Sequence, residues 1–368
     1  MPASLLHPLL LATSRPPLAT PLAISVEETC YIRPVIPFEP HPRLLNPNWM
    51  TLAGRFWPRS LERLPAPVER YFEVEPGIPI LAHCHWQPEP TRHPTIAIVH
   101  GLEGSSASRY VLGTAEKAWV AGFNVLRMNQ RNCGGTDALA PTLYNSGLSG
   151  DYRAVVRELA ERDALPEIFL AGFSMGGNLV LKAAGEMGAN PAAGSPAFAG
   201  VAAVCPALDL AACVDAIHEP RNSFYERYFV RNLILRYKHK VELFPKQFAL
   251  DGVDRVRTIR EFDDVITAPY CGYGDAVNYY DKASAKHVLG SIAVPALVIT
   301  ALDDPLVPHL SVRRPEMMGN SRVTLLDPEH GGHCAFISRH GGTDERFWAE
   351  CRIVEFCKQQ SRLLSKVA

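Results

Sequence analysis

Ser174 stands between glycines in the hexapeptide Gly172-Phe173-Ser174-Met175-Gly176-Gly177, directly after the apolar run 167–171 and ahead of a helical pattern. The stretch fits GxSxG, a strand-to-helix turn in which flanking glycines remove the collisions a Cβ would cause and lift the hydroxyl clear of its neighbours. By itself the motif is weak, because glycine-rich turns in the same setting also cradle phosphates. A serine hydroxyl is a poor nucleophile at neutral pH, so it needs a base within hydrogen-bond reach and a carboxylate to orient that base. Both follow in the chain, in the order serine, acid, histidine that such elbows use. Asp303 and Asp304 follow the apolar run 296–301, and His330 and His333 follow the run 323–326. Asp304, four residues before Pro308, is the preferred acid, with Asp303 capping the turn; the choice between the two stays open. Gly331 and Gly332 favour His333 as the base, since a flexible approach would deliver its ring to Ser174, whereas His330 lies nearer the strand.

Acyl chemistry at a serine builds up an oxyanion, which needs two preorganised backbone N–H donors. One is expected from Met175, directly after the serine. The other is expected from Leu102, within His100-Gly101-Leu102-Glu103-Gly104, a HGxxG stretch at the end of another apolar run.

These residues need a scaffold that brings several strand ends to one edge. Apolar runs at 95–100, 123–128, 168–173, 198–205, 296–301 and 323–326 read as strands, and 108–120, 150–162 and 177–187 read as helices. Such alternation predicts a mostly parallel α/β sheet with helices on both faces. Residues 209–291 break the rhythm with polar and aromatic content, and an insertion of this length predicts a mainly helical cap over the ligand-binding edge. The expected organisation is an N-terminal arm at 1–60, a core in two parts at 61–208 and 292–368, and the cap at 209–291. The arm is proline-rich without sustained periodicity. Within the cap, 227–246 alternates basic residues with Tyr228, Phe229, Leu233, Leu235 and Tyr237, as in an amphipathic helix with a solvated basic face; interfacial contact with lipid is a secondary reading.

Composition narrows the partners. The 368-residue chain is 47% hydrophobic, and its 37 basic against 38 acidic residues create no global field for nucleic acid or an anionic membrane. Nine scattered cysteines, with Cys133 and Cys205 on or beside expected buried strands, suggest reduced thiols and a cytoplasmic setting. Leu5, Leu6 and Leu9 to Leu11 look like a signal-peptide core, yet no basic residue precedes them and Pro8, Pro16, Pro17 and Pro21 interrupt the segment. No integral membrane segment is expected. His83-Cys84-His85 looks metal-binding, but alternate strand residues face opposite sides and no second ligand pair lies at zinc-like spacing, so no metal is expected there.

Beyond these motifs the sequence resembles the YheT-like α/β-hydrolases, a group that includes yeast medium-chain fatty acid ester synthases and mammalian abhydrolase-domain lipases. The resemblance is carried by Asn46-Pro47-Asn48-Trp49-Met50-Thr51, residues 100–106, the loop 129–136, Tyr144-Asn145-Ser146-Gly147-Leu148 and 172–178. It continues through Phe262-Asp263-Asp264, Thr267-Ala268-Pro269, Asn278-Tyr279-Tyr280, 303–308 and 331–333. It implies an α/β-hydrolase fold, a triad of Ser174, Asp304 and His333, and an esterase or lipase acting on acyl esters without metal or organic cofactor. Two departures stand out. Asn132 occupies a place where relatives often carry glycine, and the N-terminal membrane helix of mammalian members is not expected here. The expectation is a carboxylic ester hydrolase for short to medium acyl chains. An alcohol acyltransferase with the same acyl-enzyme, and a non-catalytic binding protein on the same fold, remain as alternatives.

Overall fold

Ile96 and Ile98 turn to one face of a sheet and Ala97 and Val99 to the other, and all four are fully buried. A strand buried on both sides needs a layer of helices on each. The computed structural model describes residues 36–339 and 346–365. Among them eight strands form one sheet: β1 (Val68–Glu75), β2 (Ile78–His85), β3 (Thr95–Val99), β4 (Asn124–Met128), β5 (Ile168–Phe173), β6 (Phe198–Val204), β7 (Ala296–Ile299) and β8 (Val323–Leu326). The order is β1-β2-β4-β3-β5-β6-β7-β8. The hairpin β1–β2 and the β2–β4 pair are antiparallel, and β4 to β8 run parallel, so the carboxyl ends of β3, β5, β6, β7 and β8 share one edge.

The same alternation repeats along the parallel strands. Leu170, Val201, Ala203 and Val298 join one core with Val155 and Leu159 of α3 (Ser149–Glu161) and Leu179 and Ala183 of α4 (Met175–Ala189). Phe169, Ala171, Ala202 and Leu297 join the other with Val111 and Ala115 of α2 (Arg109–Val120) and Trp348 and Ile353 near the C-terminus. The expected strands and the three expected helices are present, with ends shifted by a residue or two.

Four features were absent from the sequence reading. The hairpin β1–β2 and the helix Trp348–Gln360 add to the sheet and to its second helical layer. Within the expected arm, Pro47–Phe56 forms α1, with Asn46 as N-cap accepting from the amides of Asn48 and Trp49, and with proline in the first turn, where its missing N–H costs nothing. The π-helical turn Asp263–Thr267 is the fourth. Residues 1–35 of the expected arm lie outside the described residues.

Between β6 and β7 the chain passes through α5 (Leu210–His218), α6 (Ser223–Leu243), Ile259–Phe262, the π turn and α7 (Ala276–Ala283). Asn178 of α4 ties this segment down: its amide donates to Ser146 O at 2.9 Å and Ala283 O at 3.0 Å, and its oxygen accepts from Ala285 N at 2.8 Å. Two residues of the expected basic face of α6 depart from expectation, while Arg227 and Arg231 are exposed. Arg236 turns inward to Glu103 at 3.1 Å, and Lys240, almost wholly buried, donates to Asn132 Oδ1 at 2.7 Å. Buried cations require such partners, so these two residues fasten the helix rather than solvate it.

Candidate active site

β5 ends at Phe173 and α4 begins at Met175, so the turn between them is Ser174 alone, at φ 54° and ψ −119°. A non-glycine residue in that region carries strain and persists because its surroundings hold it. Ser174 N donates to Val204 O at 2.9 Å, and Ser174 O accepts from Asn178 N at 3.1 Å. The glycines are needed for space. A Cβ on Gly172 would lie 2.3 Å from Gly176 O, and one on Gly176 would lie 2.4 Å from His100 O and 2.5 Å from Val99 O.

Ser174 Oγ lies 2.9 Å from His333 Nε2, and His333 Nδ1 lies 2.9 Å from Asp304 Oδ2. The Asp304 side chain is completely buried, and its other oxygen accepts from the amides of Leu306 at 2.8 Å and Val307 at 3.0 Å. Asp304 therefore caps its own turn. The expectation that Asp303 would do so is incorrect: Asp303 instead accepts from Gly332 N at 2.9 Å and sits 3.2 Å from His330 Nδ1. The two acids and two histidines sort into separate pairs, and only Asp304 and His333 connect to Ser174.

Burial by itself would lower the affinity of His333 for a proton. The Asp304 charge and its hydrogen bond outweigh that, and hold the imidazolium above the ordinary histidine range. With Nδ1–H donating to the carboxylate, Nε2 is the nitrogen left to take a proton from Ser174.

The loop carrying His333 is gripped from two sides. His333 N donates to Thr51 Oγ1 at 2.8 Å, and that hydroxyl donates to Pro47 O at 2.7 Å, so α1 fixes the backbone of the histidine. Gly332 has φ +55°, and a Cβ there would lie 2.7 Å from both Pro47 O and Thr51 Oγ1. On the other side, Cys205 Sγ accepts from Cys334 N at 3.3 Å.

The loop after β3 is braced by residues of α2 and of the loop 129–136. Gly101 N donates to Tyr110 Oη at 3.0 Å, and Gln130 N donates to His100 Nε2 at 3.1 Å. His100 Nδ1 lies 2.8 Å from Gly101 O, which assigns it the proton; burial pushes this ring down to about 4, and it stays neutral. Leu102 and Met175 line one cavity together with Ser174 and His333. The cavity opens to solvent, with about 1070 Å³ of free space counting its open mouth, and Val214, Phe229, Leu233 and Tyr237 supply much of its apolar wall from the segment between β6 and β7.

The expected site residues thus converge at one place. Sequence patterns do not single out Thr51, Tyr110 or His100 as its supports, since nothing in a one-dimensional pattern links them to Ser174, whereas the resemblance implies that the loop 129–136, which holds Gln130, is scaffold near the site. In His83-Cys84-His85, His83 meets Ser106 Oγ at 2.9 Å and His85 accepts from Arg127, while Cys84 points into the core.

A family model described as the alpha/beta hydrolase fold matches residues 94–339. The YheT protein of Escherichia coli (strain K12) is 33% identical over 278 residues, covering 74% of this chain and 79% of that protein. Phospholipase ABHD3 of Mus musculus is 29% identical over 248 residues, covering 66% of this chain and 58% of that protein. Among solved structures, 2,6-dihydroxy-pseudo-oxynicotine hydrolase superposes with a TM-score of 0.55 at 17% identity, covering 87% of this chain and 72% of that one. At such identity the likeness concerns the fold alone.

Proposed function

This chain belongs to the α/β-hydrolase fold family, within its YheT-like group, and from that premise we propose that it is a serine carboxylic ester hydrolase for short- to medium-chain acyl esters. Ser174 Oγ attacks the acyl carbonyl while His333 Nε2 takes its proton, and Asp304 fixes the tautomer and stabilises the imidazolium. The amides of Leu102 and Met175 hold the oxyanion. Collapse of the tetrahedral intermediate expels the alcohol, which receives the proton from His333. Water then deacylates Ser174 by the same steps in reverse.

The observation that carries this reading is the unbroken relay Ser174–His333–Asp304, with both links at 2.9 Å, opening into an apolar cavity. An acyl chain gains by leaving water for such walls, and the residues between β6 and β7 act as the cap that provides them. A small-molecule acyl ester is the partner that this chemistry fits.

A panel of p-nitrophenyl esters of increasing acyl length, run with and without ethanol, tests the proposal. Turnover to free acid is expected, together with fluorophosphonate labelling of Ser174. Ser174→Ala is expected to abolish labelling and to lower kcat by a factor of about 10⁶. Dominant ethyl ester product would reassign the protein as an alcohol acyltransferase. Absence of labelling in the wild type would mark a non-catalytic binding protein.

A further inference from the structure

Residues 204–205 and 332–334 grip one another through sulfur. Cys205 Sγ lies 3.7 Å from Gly332 O and 3.3 Å from Cys334 N, and Cys334 Sγ lies 3.6 Å from Val204 O. Cys205 thereby contacts the residues immediately before and after His333. Both cysteines have left-handed backbones, φ 46° and 63°, a conformation that side chains other than glycine rarely adopt unless their surroundings hold them. This packing gathers one donor atom from each of Cys205, His333 and Cys334 within 4.8 Å of one another. Two sulfurs and an imidazole nitrogen form a donor set that selects soft or borderline cations. Sulfurs sharing a tetrahedral zinc sit about 3.8 Å apart, given Zn–S bonds of about 2.3 Å, so closing the sulfurs onto an ion requires a movement of at most about 1 Å. An approach exists, since His333 lines the cavity and Cys334 is part-exposed.

We propose that Cys205, His333 and Cys334 form an inhibitory site for a thiophilic divalent cation such as Zn²⁺ or Cd²⁺, which binds by withdrawing the His333 ring from the relay. Each cysteine loses its S–H proton to solvent and gains a metal–sulfur bond, the imidazole contributes a lone pair, and no group is oxidised or reduced. If Nε2 turns to the metal, Ser174 loses its base; if Nδ1 turns, Asp304 loses the ring it orients. The inhibition rests on the esterase reading given above, whereas the binding does not.

The untagged full chain, freed of metal by a chelator, is titrated with Cd²⁺ while the cadmium–thiolate charge-transfer absorption is followed. Turnover of p-nitrophenyl butyrate is titrated in parallel. The absorption is expected to saturate and to be diminished in Cys334→Ser, and bound Cd²⁺ is expected to protect wild-type Cys334 from alkylation, a readout that depends on no variant. Turnover is expected to fall by a factor on the order of 10² or more at the same midpoint and to return with EDTA. In Cys334→Ser the residual rate, relative to that variant's own metal-free rate, is expected to be far less sensitive. Equal absorption in wild type and variant without protection of Cys334 would overturn the site. Protection and absorption with unchanged turnover would overturn its inhibitory role. A metal-free chain that neither turns over esters nor takes up fluorophosphonate would sink the esterase reading, while absorption and alkylation would still decide whether the site exists.

Discussion

His333 lies between two oxygens of opposite demand: the carboxylate of Asp304 favours its charged form, and the hydroxyl of Ser174 needs its neutral form. The carboxylate holds the imidazolium above the usual value of about 6.5, so a ring acting as base becomes available only as pH rises through the raised value. The acid limb of kcat/KM for a p-nitrophenyl ester is accordingly expected above pH 6.5, and Asp304→Asn is expected to move that limb downward while kcat drops about 10⁴-fold. A wild-type limb at or below the ordinary histidine value would contradict this electrostatic account. The same sign governs stability. This pair contributes fully below the unfolded-state value and its contribution fades as pH rises through the folded one.

At the scale of the element, the histidine loop depends on α1. Thr51 offers the acceptor for His333 N–H, and Gly332 lets the two backbones approach. Thr51→Val preserves shape but orphans that amide, a loss of about 1–3 kcal/mol. The expected signature is a kcat lowered roughly tenfold or more with little change in KM, recovered in Thr51→Ser. A variant with unchanged kcat and a lowered melting temperature would make Thr51 a stability residue only. The parallel strands were legible because they are predominantly apolar, and α2 to α4 because their faces are regular. β1 was not: its burial alternates, but Arg70 sits on the inward face beside Phe72 and Val74 while Tyr71 is exposed, which blurs the apolar pattern. Trp348–Gln360 hides its period for another reason: Glu350 and Arg352 lie on its buried side. Glu350 is made tolerable there by Arg59 at 2.6 Å and Lys117 at 2.9 Å, partners supplied by distant parts of the chain.

Across the whole molecule, the sheet edge carries the proposed reacting groups and the segment between β6 and β7 lines the cavity beside them. Leu233 of α6 faces that volume, so Leu233→Trp is expected to shorten the acceptable acyl chain. The ratio of octanoate to butyrate turnover is expected to fall about tenfold or more, with butyrate turnover retained as evidence of an intact fold. An unchanged length profile would remove this wall from the specificity account. Among the described residues no helix is long and apolar enough to cross a membrane, and the eight described cysteines are free thiols. The sequence by itself determined the order of serine, acid and histidine, the strand ends that bear them and the glycines around Ser174, because chain order and steric need are local properties. The pairing of His333 with Asp304 rather than Asp303, the inward turn of Arg236 and Lys240, the anchoring of His333 by Thr51 and the meeting of Cys205 with Cys334 were decided only by the tertiary structure. Each is a contact between segments far apart in the chain, whose direction is set by how helices and loops pack against the sheet.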